Sequence, residues 1–397
     1  MKKLFVVVFL VLLLSSFVSA KLVVWCSENQ VPALERLAAE FERDYGIEVE
    51  VQQVNFGDIK SNFLVAAPAG EGPDIIVGAH DWVGELAQDG LLEPLPFIPQ
   101  RDAYYDVALE AFSYGGRLYG LPYALESIAI IYNKDLIFED EVPTTIAELE
   151  SIAMDIADDE IVGFIYDAPN FYFSFPFIAG YGGYIFKETA DGLDPTDIGL
   201  NNEGAAKGVS LIRSWFDMGL IPRGANYALM DGLFVEGLAA FIVNGPWATP
   251  GYRDAGIDYG IIPFSEIELE PGVTPKPFVG VQGFMINSRS KSKIEAVEFV
   301  VNYMGSYRGQ KAMFDVERRG IVRSDLYAEV EAQGGPEIYD IIQFSASASV
   351  GTPMPNIPEM AAVWGSMEDA LNLVINAQDT VQNALDAAVE KIKAAID

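Results

Sequence analysis

Ile75-Ile76-Val77 is an unbroken apolar run, opened by Gly72 and Pro73 and followed at once by Gly78, Ala79, His80 and Asp81. An apolar run without alternation fits a strand covered on both faces, the condition of a sheet sandwiched between helices. Gly and Pro punctuate its start. The polar residues past its end fall where ligands sit in open α/β sheets, beyond the carboxyl ends of the strands. Taken alone, the segment is better explained as an ordinary strand end.

The chain before it repeats the same logic. A strand is predicted over 22–26. A helix comes next over 32–45, with Leu34, Leu37, Ala38, Phe41 and Tyr45 on one face, Pro32 near its start and Gly46 just past its end. Residues 47–51 alternate Ile47, Val49 and Val51 with glutamates, as a strand does. A second helix over 57–67 leads into the strand at 75–77. This β-α-β-α-β order predicts an α/β fold built on a mostly parallel, doubly wound sheet.

Two breaks divide the chain beyond this unit. Residues 120–128 hold Gly120, Pro122, Glu126 and Ser127, and an apolar strand then runs to 132. Residues 271–278, PGVTPKPF, are Pro/Gly-rich, and a strand resumes over 280–287. Between the breaks lie strand candidates at 163–166 and 239–243 and helices at 145–157, 203–218 and 228–236. After them come a helix at 293–304 and a helical C-terminal stretch over 358–397. There Val381, Leu385, Val389 and Ile392 form a buried stripe behind a Thr380 cap. Similar segments on both sides of each break predict two lobes joined by more than one crossover, with a ligand cleft between them.

The N-terminus has the order of a secretory signal: Lys2 and Lys3, the apolar run 4–14, then Val18-Ser19-Ala20. It is too short to span a bilayer. Residues 1–20 are therefore expected to be removed on export. Cys26 is the single cysteine, so no intrachain disulfide is possible and no lipid attachment is expected at the cleavage point. A formal net charge of −33 argues against nucleic acid and anionic membrane surfaces and favours a neutral or cationic ligand, although solubility alone also accounts for such charge.

Aromatic rings and carboxylates dominate the candidate chemistry. Rings stack on the apolar faces of sugars, and carboxylates accept bonds from hydroxyls. Trp82, Trp247 and Trp364 stand beside loop or turn residues; Trp25 and Trp215 read as core. The segment 166–177, IYDAPNFYFSFPF from its preceding residue, is dense in rings, with alternate members expected inward and the rest on a cleft. One His and one Cys exclude a His/Cys metal cluster, and no nucleotide-binding glycine motif sits between a strand and a helix. A serine nucleophile would need His80 as its base. A carboxylate pair drawn from Asp58, Asp81 and Glu126 would suit a secreted glycoside hydrolase. The negative charge also suits a receptor for peptides or polyamines.

Several collinear segments resemble the periplasmic maltose/maltodextrin-binding protein family, the solute receptors of ABC importers. They are LVVW at 22–25, GPDIIVGAHD at 72–81, GLL at 90–92, IYNKDL at 131–136, FPFIAGYGGYIFK at 175–187, NGPW at 244–247, KPFVGV at 276–281 and PMPNIPEM at 353–360. The resemblance implies the two-lobed type II periplasmic-binding-protein fold. Its lobes would be 21–124 with 279–326 and 125–278 with 327–397, each with a mostly parallel sheet. It implies a non-catalytic receptor, needing no cofactor or metal, that takes an oligosaccharide such as maltose, maltotriose, a longer maltodextrin or trehalose. The partner would be a membrane ABC permease, and nothing in the chain demands an oligomer.

Residue by residue, the resemblance places Asp81 and Glu126 on sugar-binding carboxylates and Ala79 on the cleft wall. Trp247 and Trp364 fall on stacking aromatics. Tyr172 and Phe173 fall on an aromatic wall, with Asn170 where Glu is frequent. Ser27, Asn29 and Gln30 fall on the first polar loop. The family often has Asp and Lys where Asn29 and Gln30 stand, an aromatic where Gly78 stands and Arg where Trp82 stands. Trp82 is thus either a relocated stacking ring or a core residue of its lobe. Glu368 replaces a basic position and Gly365 a Tyr.

Overall fold

The computed structural model describes residues 21–190 and 192–396. The signal peptide expected over 1–20 lies outside them. Two mixed sheets, each flanked by helices, form the two halves of an α/β molecule.

The first sheet runs in the order Gly320–Ile321, Gly120–Glu126, Phe278–Asn287, Ile75–Ala79, Lys21–Cys26, Glu48–Gln53. Lys21–Cys26 pairs parallel with both of its neighbours, as the β-α-β-α-β order predicts. Phe278–Asn287, however, pairs antiparallel with Ile75–Ala79 and with Gly120–Glu126. The second sheet has the order Tyr259–Ile262, Ala129–Asn133, Ala239–Asn244, Val162–Ile165, and only its last pair is parallel. The expectation of mostly parallel sheets is therefore corrected. A continuous apolar run reports cover on both faces, which an antiparallel strand inside such a sheet shares.

The breaks read from the sequence are where the chain changes sheets. Residues 120–126 are themselves a strand, and only Ser127 and Ile128 separate them from Ala129–Asn133 in the other sheet. Pro122 is tolerated because the ladder shifts register between Gln282 and Gly283, beside it. The chain returns along Phe278–Asn287. The cleft floor is thus laid by the two strands that cross between the halves.

Local signals set the helices. Val31–Tyr45 carries Pro32 in its first turn and ends at Gly46, whose φ of 72° is left-handed. Leu34, Leu37, Ala38 and Phe41 are buried, each large side chain contributing roughly 1.5–3 kcal/mol. Tyr45 departs from the expected stripe: it is 46% exposed and stacks on Phe41 from outside. The C-terminal stretch is two helices, Ala361–Ile375 and Val381–Ile396, separated near Ala377 with φ 56°. The Asn383 amide donates to Thr380 Oγ1 at 3.3 Å, and Leu385, Val389 and Ile392 are buried.

Candidate functional site

A cleft of about 630 Å³ lies over the crossing strands. Ser27, Asn29, Ala79, Asp81, Trp82, Glu126, Asn170, Tyr172, Phe173, Trp247 and Trp364, scattered across the sequence, all line it. Gln30 does not. Its Oε1 accepts from the Ser27 amide at 2.8 Å and hydroxyl at 3.1 Å, and its Nε2 donates to Tyr123 Oη at 2.9 Å. Gln30 therefore braces the loop that presents Ser27 and Asn29, because one turn of 3-10 helix sends adjacent side chains to different sides.

Glycines shape the aromatic walls. A Cβ on Gly78 would lie 1.9 Å from the Trp82 ring, so the ring rests on the bare backbone of the preceding strand. Trp82 is only 7% exposed, packs 5.3 Å from Phe56 and still lines the cleft. Trp82 is therefore packed within its lobe and also lines the cavity. Trp247 repeats the device over Gly245, where a Cβ would come within 2.1 Å of its ring. Its Nε1 donates to Tyr227 Oη at 3.0 Å.

The aromatic segment is a helix, Phe171–Gly180, and not an alternating strand. Asn170 caps it, its Oδ1 accepting from the Tyr172 amide at 3.1 Å. Phe171, Phe173, Phe175 and Phe177 are all buried, while Tyr172 is half-buried. The rings leave the core at the helix's first turn, where Tyr172 and Phe173 reach the cleft.

The polar floor centres on Glu126. Arg319 Nη1 donates to Glu126 Oε1, and Arg319 Nε lies 2.8 Å from Glu317 Oε2. All three are buried. Burial pushes the Glu317 carboxyl up to about 7, with Arg319 opposing it, while the neighbouring carboxylates hold the guanidinium above its ordinary range against its burial. Asp81 is also buried and pushed up to about 6, chiefly by burial, which Lys60 and the Trp364 indole oppose. Trp364 Nε1 donates to Asp81 Oδ2 at 3.1 Å.

His80 offers no base. The Val281 amide donates to its Nδ1 at 3.0 Å, so Nε2 carries the proton and donates to Met354 O at 2.9 Å. Burial holds its pKa below the usual value. Asp58, a candidate for hydrolytic chemistry, is exposed and off the cleft lining. Among the described residues, no group of three or more His, Cys, Asp or Glu is placed to hold a metal.

Sequence reasoning missed Phe56, Lys60, Tyr227, Gln282 and Arg319, all of which line the cleft; Glu368, noted only as a departure, lines it too. Gln282 left a signal: it is the lone amide inside an apolar strand until Asn287. Arg319 left none, because its position depends on strand pairing.

The family described as bacterial extracellular solute-binding protein matches residues 36–339. The galactooligosaccharide-binding protein of Bacillus subtilis is 32% identical over 391 residues, covering 96% of this chain and 91% of that protein. The maltooligosaccharide ABC transporter solute-binding lipoprotein of Streptococcus pneumoniae is 27% identical, covering 95% and 89%. The structure of Thermus thermophilus maltotriose binding protein bound with maltotriose superposes with a TM-score of 0.87 at 37% identity, covering 95% of this chain and 100% of that one.

Proposed function

We propose a function from the premise that this chain belongs to the bacterial extracellular solute-binding protein family. It captures an oligosaccharide of the maltose/maltodextrin type in the cleft and delivers it to a membrane ABC importer, without chemical turnover. Export through the 1–20 signal and action as a monomer complete this reading. The lobes that close on the ligand are 21–124 with 279–326 and 125–278 with 327–397.

The observation that carries the reading is the pairing of ring walls with a carboxylate floor. Trp82 packs with Phe56, Tyr172 and Phe173 pack with Trp247, and Trp364 bonds Asp81, and all of these line the cleft together with Glu126. Rings suit the apolar faces of sugar units, and charged acceptors suit their hydroxyls. The volume falls in the range of small-ligand sites. One oxygen of Glu126 is already bonded to the Arg319 guanidinium. A galactose-based ligand is the second reading, favoured by the 32% identity to the galactooligosaccharide-binding protein.

Calorimetry with maltotriose and galactotriose tests this directly. Saturable binding of one of them, with no reducing sugar released over time, is the expected result. Binding of neither, or release proportional to protein, rejects the reading.

A further inference from the structure

Glu368 stands one helical turn beyond Trp364 in the helix Ala361–Ile375, so the two side chains share a face, and both line the cleft. The same face reaches the loop after Ile75–Ala79, where Asp81 accepts from the Trp364 indole. Asp167, three residues before the Asn170 cap of the aromatic helix, is close enough to act on the Glu368 carboxyl.

Glu368 differs from Glu126 and Asp81 in having nothing to hold. Glu126 is bonded to Arg319, and Asp81 to Trp364. Glu368 is half-buried, yet its carboxylate has no hydrogen-bond or ion-pair partner among the described residues. Neither of its oxygens is sealed from solvent. Among the described residues, the cations lining the cleft are Lys60 and Arg319, and both are engaged elsewhere. Lys60 lies 2.7 Å from Glu85, and Arg319 serves Glu126 and Glu317. Lys391 stands 2.7 Å from Asp369, the exposed neighbour of Glu368. Glu28 also lines the cleft, but it is exposed, where water screens it. Burial, with Asp167 and Asp369 adding to it, raises the Glu368 carboxyl above its ordinary value. Once ionised, Glu368 puts an uncompensated negative charge into a partly dehydrated wall. Its field there is weakly screened and reaches a ligand without needing one fixed bond geometry.

We propose that Glu368 is a specificity-determining residue that selects the charge of the sugar unit held at Trp364. It admits a neutral or amino-bearing unit and rejects one that carries a carboxylate or a phosphate. An ammonium group gains a charge-assisted contact with the carboxylate, whereas an acidic group meets like charge with no cation between them. The assignment rests on the oligosaccharide reading of the cleft.

The test measures affinity at about pH 8 for whichever of maltotriose and galactotriose binds more tightly, and for its charged derivatives. In these the primary hydroxyl of one terminal unit is either oxidised to a carboxylate or replaced by an amine, at each end in turn. The proteins compared are the unaltered chain, Glu368→Gln and Glu368→Lys, with melting temperature recorded for each. The readout is the ratio of amine to acid affinity, which a general loss of binding does not move. At one end of the sugar the unaltered protein should prefer the amine by about a hundredfold, and Glu368→Gln should lower that ratio about tenfold. Glu368→Lys should lower it further, and it is read alone if Glu368→Gln does not fold. A ratio that stays the same in the variants at both ends, or amine and acid weakened alike in the unaltered protein, overturns the assignment. If the unaltered protein binds neither parent trisaccharide, the oligosaccharide reading itself fails and the assignment falls with it.

Discussion

The Trp364 indole donates to Asp81 Oδ2 at 3.1 Å, joining a loop of the first sheet to a helix near the C-terminus, 283 residues away. An acceptor that belongs to the cleft is therefore already engaged by a ring that also belongs to it. The contact links pH, stability and ligand access, because the carboxyl involved is buried.

Asp81 and Glu317 should make the apo protein less stable as pH rises. Both are pushed up in the fold, to about 6 and about 7. A carboxyl with a raised folded value binds its proton more tightly when folded. Its contribution is fully present below the unfolded value and is lost as pH rises through the folded one. The window is about pH 4–6 for Asp81 and about pH 4.5–7 for Glu317. For Asp81 the effect is on the order of 3 kcal/mol. Asp81→Asn and Glu317→Gln should each flatten the fall in melting temperature between pH 4 and 8. Curves parallel to that of the unaltered protein would refute this.

Gly78→Ala should weaken sugar binding through Trp82. The new methyl would sit 1.9 Å from the ring, so the ring must move. A loss of roughly 1–3 kcal/mol in affinity is expected, the scale of one stacking ring. Trp82→Ala should cost both affinity and melting temperature, since the ring is packed as well as cleft-lining. In the double variant the Gly78→Ala penalty should vanish. Additive losses in calorimetry would show that the two positions act independently.

Arg319→Met should destabilise the fold more than the double variant Glu126→Gln/Arg319→Met. The single change strands Glu126 and Glu317 in the interior without their cation. Removing one partner of a buried pair costs about 3–5 kcal/mol. Melting temperatures of the single and double variants give the comparison, and an equal or larger loss in the double variant contradicts the pairing argument.

Tryptophan emission should report ligand through three of the five indoles. Trp82, Trp247 and Trp364 line the cleft. Trp25 donates to Gln52 Oε1 at 2.8 Å, and Trp215 is buried and donates to Glu150 Oε1 at 2.6 Å. Trp25→Phe and Trp215→Phe should leave the ligand-induced change intact, while Phe at the other three positions together should abolish it. A signal that tracks Trp215 would overturn this.

The sequence by itself determined the elements and much of the cleft lining. Apolar runs mark buried strands, Pro32 and Gly46 bound a helix, and Asn170 caps another, because these effects act within a few residues. The polar and aromatic residues after strand ends were legible for the same reason. Strand direction was not, since Phe278–Asn287 looks alike whichever way it pairs. Nor was Gln30's turn away from the cleft, or the packing of Trp82 on Gly78, which needs a ring's orientation as well as its position. The grip on Glu126 was the least legible feature. Arg319 is 193 residues from it, and only the antiparallel pairing of Gly320–Ile321 with Gly120–Glu126 brings the two charges together. Local periodicity carries no information about such pairs; the tertiary fold alone decides which buried charge meets which partner.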